Sequence, residues 1–237
     1  MKALYTEDSY LRHFEARVER TESGQVMLNQ TAFYPRSGGQ PSDKGFISCR
    51  GGKYMVSGAE LQEGEIWHTV DREGLQQGDQ VCGRIDWERR YTFMRSHTAC
   101  HILSAVIFQK TGAMITGNQI DLSKSRVDFS LENFDRDKMA EYVAAVNRII
   151  QEDRKVITRT LPREEALAIP DLVRLAVGMP ERVEVRIVEV EGIDIQACGG
   201  THVRRTGEIS GIRMIKAENK GKSNRRVYFQ LAEGDEP

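Results

Sequence analysis

The sequence predicts an α+β protein: a β-rich N-terminal part, barrel or sandwich, followed by helices packed on one face of a mainly antiparallel sheet. Three observations lead there. Short period-two segments broken by glycines fill residues 1 to 88. A stretch free of Gly and Pro follows at 88–110. Beyond it, a helical stripe is interleaved with β-branched segments. The expected domains are 1–88 and 89–237.

The elements follow in order. At 14–20, Phe14, Ala16 and Val18 alternate with Glu15, Arg17 and Glu19. A Glu22-Ser23-Gly24 turn leads into a second strand at 25–31. Glycines at 38, 39, 45, 51, 52, 58, 64, 74, 78 and 83 punctuate the short segments that come next, as in a small barrel or sandwich. The 88–110 segment reads as a helix, because Gly112 supplies a stop. At 125–131, Val127, Phe129 and Leu131 share one side of a strand. Apolar residues at 139, 142, 143, 146, 149 and 150 make 137–153 an amphipathic helix. Pro162 suits a first helical turn and opens a short helix. Segments 183–190, 209–217 and 225–231 are rich in β-branched and apolar residues and read as strands.

Composition narrows the function classes. Of 237 residues, 39% are hydrophobic and 29% charged, which fits a folded globular chain and not a disordered one. No stretch approaches the ~20 apolar residues that cross a bilayer. The first twenty residues lack an apolar secretory core. The expectation is a cytoplasmic protein without a membrane partner, and no dinucleotide cofactor is expected. The net charge of −1 exerts no overall pull on nucleic acid, so such a ligand needs a local basic patch. Cysteines 49, 82, 100 and 198 are too sparse for a disulfide framework.

Two short motifs carry chemistry. His97-Thr98-Ala99-Cys100-His101 lies inside the 88–110 helix. Residues four apart share a helical face, ~5–6 Å apart at Cβ, so both imidazoles can grip one ion. Cys198-Gly199-Gly200-Thr201-His202 follows the 183–190 strand, and its glycines let Cys and His converge. Three imidazoles and a thiolate favour zinc, while the carboxylates that magnesium or calcium would want are missing. Three of the five histidines fall in these two motifs, which sets the pair apart from a chance spacing. Four donors suit a closed structural site as well as a catalytic one.

At these residues the chain resembles the editing domain of alanyl-tRNA synthetase. The matching segments are His97-Thr98-Ala99-Cys100-His101-Ile102-Leu103 and Cys198-Gly199-Gly200-Thr201-His202-Val203, with Arg205-Thr206-Gly207-Glu208-Ile209 after them. Upstream, Thr31-Ala32-Phe33-Tyr34-Pro35-Arg36-Ser37-Gly38-Gly39-Gln40, with Asp43 and Gly45, resembles the family's Ser-Gly-Gly-Gln segment. The order and span of these matches fit the family's free-standing editing proteins that carry an extra N-terminal domain. The resemblance implies a small N-terminal β-barrel followed by a zinc-bearing α/β two-layer sandwich with a mainly antiparallel sheet. It implies an ATP-independent hydrolase that removes serine, and sometimes glycine, from mischarged alanine tRNA.

Carried over residue by residue, His97, His101, Cys198 and His202 become the zinc ligands and catalytic centre. Cys100 stands where the family often has Thr. With Ser37, Gly38, Gly39 and Gln40, and with Thr116, Asn118 and Gln119, it forms the expected substrate-binding set. The basic C-terminal loop carries Arg213, Lys216, Lys220, Lys222, Arg225 and Arg226. Lys220, Lys222, Arg225 and Arg226, joined by Arg204 and Arg205, are the expected tRNA contacts. Two other readings share these residues: a threonyl-tRNA-type editing hydrolase, and a non-catalytic tRNA-binding protein with structural zinc.

Overall fold

Alternation at the N-terminus closes into a barrel. The computed structural model describes residues 1–131, 135–170, 172, 183–221 and 223–232. The chain divides into two units, Met1–Phe93 and Met94–Pro237. The first holds β1 (Lys2–Ala3), β2 (His13–Glu22), β3 (Gln25–Leu28), β4 (Gln30–Thr31), β5 (Gly45–Cys49), β6 (Gly52–Gln62), β7 (Glu65–Val70) and β8 (Gln80–Ile85). Six of these close a barrel in the order β2-β3-β7-β6-β5-β8, with every pairing antiparallel. Closure leaves no free sheet edge. Phe14, Ala16 and Val18 point inward with Val26, Ile47, Val56, Ile66 and Val81. Gly83 is required by this packing, because a Cβ there would sit 2.2 Å from the Phe14 ring.

The Ser37–Gln40 segment is a two-residue turn, closed by Ser37 N–H to Gln40 O (3.1 Å) and Gln40 N–H to Ser37 O (2.8 Å). Gly38 and Gly39 both have positive φ, 55° and 81°, as a type I′ turn demands. The same unit holds a fully buried ion pair. Arg90 Nε is 3.0 Å from both Asp43 carboxylate oxygens, and Arg90 Nη2 also bonds Oδ2. The guanidinium donates further to Ser9 O and Ala32 O, at 2.8 and 2.6 Å. Asp43 accepts Tyr34 N–H at 2.6 Å. One charge pair thus ties three loops of this unit to the first turn of a helix.

That helix, α1 (Trp87–Thr111), begins in the first unit and continues into the second. Asp86 caps its start by accepting Arg89 N–H, and Gly112, φ 71°, donates to Phe108 O at its end. After it come β9 (Ile115–Gln119), β10 (Ser125–Phe129), α2 (Arg136–Gln151), β11 (Val156–Pro162), α3 (Arg163–Leu167), β12 (Glu184–Val190), β13 (Asp194–Ala197), β14 (Ile212–Asn219) and β15 (Arg225–Leu231). Two antiparallel sheets form, β14-β15-β10-β9 and β11-β12-β13. The fold class is therefore the expected one, mixed α+β with a closed barrel. Among the described residues, no helix is long and apolar enough to cross a membrane.

The departures are local. Asp135 accepts the Asp137 and Lys138 N–H groups, so α2 starts one residue before the expected 137 and ends two before 153. Pro162 ends β11 and caps α3 from outside instead of sitting in its first turn. The strand expected from 209 begins at Ile212, because Thr206–Ile209 form a 3-10 turn and Ser210 has φ 69°.

Two predictions follow from the barrel unit. Asp43→Ala strands the Arg90 charge in the interior and lowers stability by about 3–5 kcal/mol in urea unfolding. His68 is fully buried; its Nδ1–H donates to Val26 O (2.9 Å), so Nε2 accepts the Thr31 hydroxyl (2.8 Å). Burial lowers its pKa to about 4, against the backbone bond that raises it. Below pH 6.5 the unfolded chain takes up a proton that the folded chain refuses until about pH 4. Stability should fall by about 3 kcal/mol across that window as pH drops. The same titration on His68→Gln should lack this fall.

Candidate metal centre

Helix α1 is buried on every side from Ser96 to Ile107. A stretch so placed is ordinarily apolar all round. This one carries His97, Thr98 and His101, each of which needs a polar partner. His97 and His101 share a face, with ring centroids 5.3 Å apart. Strand β13 delivers Cys198, and the following turn brings His202 to 4.3 Å from the His97 ring and 4.7 Å from the His101 ring. Cys198 Sγ lies 3.3 Å from His202 Nε2 and 3.6 Å from His97 Nε2. The four donor atoms all lie within 4.8 Å of one another.

The turn is shaped by a guanidinium. Arg186 Nη1 donates to Cys198 O and Gly200 O, both at 2.8 Å. Gly199 and Gly200 were expected to supply unusual backbone freedom, yet neither has positive φ, and a Cβ on Gly199 would meet nothing within 4 Å. Gly200 N–H instead points at Cys198 Sγ, 3.4 Å away.

Outer partners set the tautomers. The Thr98 hydroxyl donates to Met94 O (3.0 Å), so it accepts from His202 Nδ1–H (3.0 Å) and leaves Nε2 facing the thiolate. His101 Nδ1 donates to Asp194 Oδ2 (3.0 Å), which also receives Gln196 Nε2–H (2.9 Å). This is how metal-ligating imidazoles are generally oriented.

Burial and mutual contact shift these groups in different directions. Burial alone would raise the Cys198 thiol, but the neighbouring His97 and His202 and the contact with His101 hold it well below its usual value. Burial, with the neighbouring His97, pushes His202 well down. Burial would lower His101 too, yet its bonds to Asp194 and Cys198 push it up to about 10. Burial and the nearby Cys198 raise the Cys100 thiol above its usual value. A tetrahedral shell with bonds of about 2.0–2.3 Å puts neighbouring donors about 3.3–3.7 Å apart. The two measured sulfur–nitrogen separations, 3.3 and 3.6 Å, fit that edge, and the cluster can hold a metal ion.

The other expected site residues belong to other elements. Ser37, Gly38, Gly39 and Gln40 form the barrel-unit turn described above. Thr116, Asn118 and Gln119 lie on β9, at the edge of the four-stranded sheet. Thr116 Oγ1 bonds Asn224 Oδ1 (3.1 Å) and Gln119 Oε1 accepts Arg126 Nε–H (3.1 Å), so their contacts are within that sheet and its turn. Arg204 is exposed. Arg205 grips Asp153. Arg225 is buried and bonds Asn219, Gly221 O and Asn224 O across the β14–β15 turn. Arg226 chelates Asp128, and Lys220 pairs with Glu218. Lys222 lies outside the described residues. Sequence reasoning missed Thr98, Asp194, Gln196 and Arg186. One signal was available: Asp194, Gln196 and Cys198 fall at period two on one strand path.

Comparison with known proteins places this chain in a family. Residues 6–89 match the model for tRNA synthetases class II (A), and residues 185–228 match that for the threonyl and alanyl tRNA synthetase second additional domain. The alanyl-tRNA editing protein AlaX-M of Methanosarcina mazei is 50% identical over 97% of this chain and 96% of its own. The chain belongs to the alanyl-tRNA editing protein AlaX-M family. Its namesake from Saccharolobus solfataricus is 46% identical, covering 96% of this chain and 98% of that one. The alanine–tRNA ligase of Pyrococcus abyssi is 37% identical over 98% of this chain but only 26% of the ligase.

For this AlaX-M family member, Asp194→Asn weakens the hold on His101 without removing a donor to the ion. Zinc affinity, measured by competition with a chromophoric chelator, should drop about 10–100-fold. Equal affinity would show that Asp194 has no part in the centre.

Proposed function

We propose that this protein is a trans-editing hydrolase that cleaves the ester joining a wrongly attached amino acid, serine foremost and glycine next, to alanine tRNA. Zinc is the proposed ion, and His97, His101, Cys198 and His202 are its proposed ligands. The cytoplasm, where tRNA is charged and used, is the proposed compartment. The observation that carries the reading is the buried cluster of three imidazoles and one thiolate, its tautomers set by Thr98 and Asp194, in a chain of the alanyl-tRNA editing family.

When bound, zinc supplies Lewis-acid chemistry: it can acidify a water or hold the substrate's amino or ribose hydroxyl group. The chain's own residues do the rest. Thr98, Asp194 and Arg186 fix the donors before substrate arrives, so little reorganisation accompanies the reaction. Cys100, kept as a thiol, lines the helix beside the donors without competing for the ion. An activated ester needs no side-chain nucleophile, and none is assigned here. Preference for serine over alanine calls for a polar partner to the extra hydroxyl, since size alone would favour alanine. Cys100, Thr116, Asn118, Gln119 and the Ser37–Gln40 turn are the proposed substrate contacts.

The test is hydrolysis of seryl-, glycyl-, alanyl- and threonyl-charged tRNAs by metal-quantified protein. Seryl-tRNA should be cleaved at least tenfold faster than alanyl-tRNA, the equivalent of about 1.4 kcal/mol. His101→Ala should lose both bound zinc and turnover. Faster cleavage of threonyl-tRNA would assign the threonyl-type activity instead. Zinc-loaded protein that binds tRNA without turnover would reduce the ion to a structural role.

A further inference from the structure

One face of the four-stranded sheet carries a charge pattern that the metal centre does not use. Strand register sorts its side chains. Val127, Phe129, Val227 and Phe229 point inward and are buried. The intervening residues point outward, where Asp128 pairs with Arg226, Arg126 with Tyr228, Lys216 with Tyr228 and Glu218 with Arg226. Two carboxylates on this face each sit between two cations. Asp128 is held by Arg126 (2.8 Å) and by both Nε and Nη2 of Arg226 (2.7 and 2.8 Å). Glu218 is held by Lys216 and Lys220. Lys124 and Lys216 flank the Tyr228 ring, 5.6 and 4.7 Å from its centroid. Arg213 joins the face through Gln230.

Among the described residues this face therefore holds six cations against two carboxylates, in a chain whose total charge is −1. Asp121, in the turn before Lys124, keeps its carboxylate on Ser123. The cations come from both β10 and β14–β15, far apart in sequence, so only the fold assembles them. Lys216 and Lys220 are 47% and 40% exposed, which leaves their ammonium groups open to a partner. Cations around a partly exposed aromatic suit a nucleic-acid backbone, with the ring meeting a ribose or base.

We propose that the outer face of the β14-β15-β10-β9 sheet docks the phosphate backbone of the tRNA acceptor arm. The inference rests on the tRNA reading above and moves the contact surface from the hairpin tip to the sheet. Arg225, expected to touch tRNA, faces inward and holds the turn instead. Arg126 and Arg226 belong to the surface, but removing them would strand Asp128. The informative variant therefore combines Lys124→Ala, Arg213→Ala, Lys216→Ala and Lys220→Ala, all exposed positions.

The experiment measures tRNA affinity across a salt series for wild type, this quadruple variant, and a control lacking Lys2, Arg17, Lys53 and Arg72 of the barrel unit. Metal content and circular dichroism check the fold. Each lost phosphate contact lowers the slope of log K against log salt by about 0.7–0.9, so the sheet variant should lose about 3 while the control keeps its slope. Glu218→Gln should steepen the slope and tighten binding. A sheet variant with wild-type slope and affinity overturns the proposal while leaving the functional reading intact. An equal loss in the control also overturns it, since the effect would then be general charge. Wild-type protein that binds no tRNA at any salt removes the functional reading and this inference with it.

Discussion

Imidazoles and a threonine hydroxyl buried within a helix that is covered on every side find their partners inside the fold. This constraint organises the second unit. Helix α1 cannot leave His97, Thr98 and His101 without partners, and β13 with the loop after it supplies them. The Thr98 hydroxyl closes a chain from Met94 O to His202, and Asp194 with Gln196 closes another on His101. What remains unsatisfied points at one spot, with a thiolate beside it. Removing any single member leaves a buried polar group unpaired, at about 1–3 kcal/mol. The centre and the local fold are thus the same set of hydrogen bonds.

The first unit solves a different problem with a related device. Its segments near Ser9, Ala32 and Asp43 are separate in sequence, and a single guanidinium reaches all three. A buried ion pair of this kind does little for net stability compared with apolar packing. Its geometry is directional, however, and an apolar side chain would not have fixed the position of the Tyr34–Asp43 segment that carries the Gly38–Gly39 turn.

How much of this was legible depended on range. Strand 225–231 was read with its full bounds, because its alternation is strong and flanking residues break it. Helix α1 was placed to within a residue at each end, since Gly112 marks the stop. The cluster that could hold an ion was legible because two four-residue spacings carried its residues. Their supporting partners were not, since Asp194 lies 93 residues from His101 and Thr98 lies 104 from His202. Nothing in local periodicity encodes such pairings. The basic C-terminal segment shows the same limit: composition reports six cations there but not which way each points. Arg225 and Arg226 are neighbours, and register alone sends one into the interior and the other to the surface.

The carboxylates on the sheet face have a consequence of their own. Asp128 and Glu218 reduce the positive charge locally, which looks like a handicap for an anion-binding surface. They also hold four long, flexible cations at set spacings before any polyanion arrives. Ordering a lysine or arginine on binding costs about 0.5–1.5 kcal/mol in lost rotamer freedom. Here much of that ordering is complete in the free protein. The two acids serve as internal stand-ins for an anionic backbone, so a ligand exchanges one set of ionic partners for another. A surface built this way would give up some affinity for a polyanion in return for faster release.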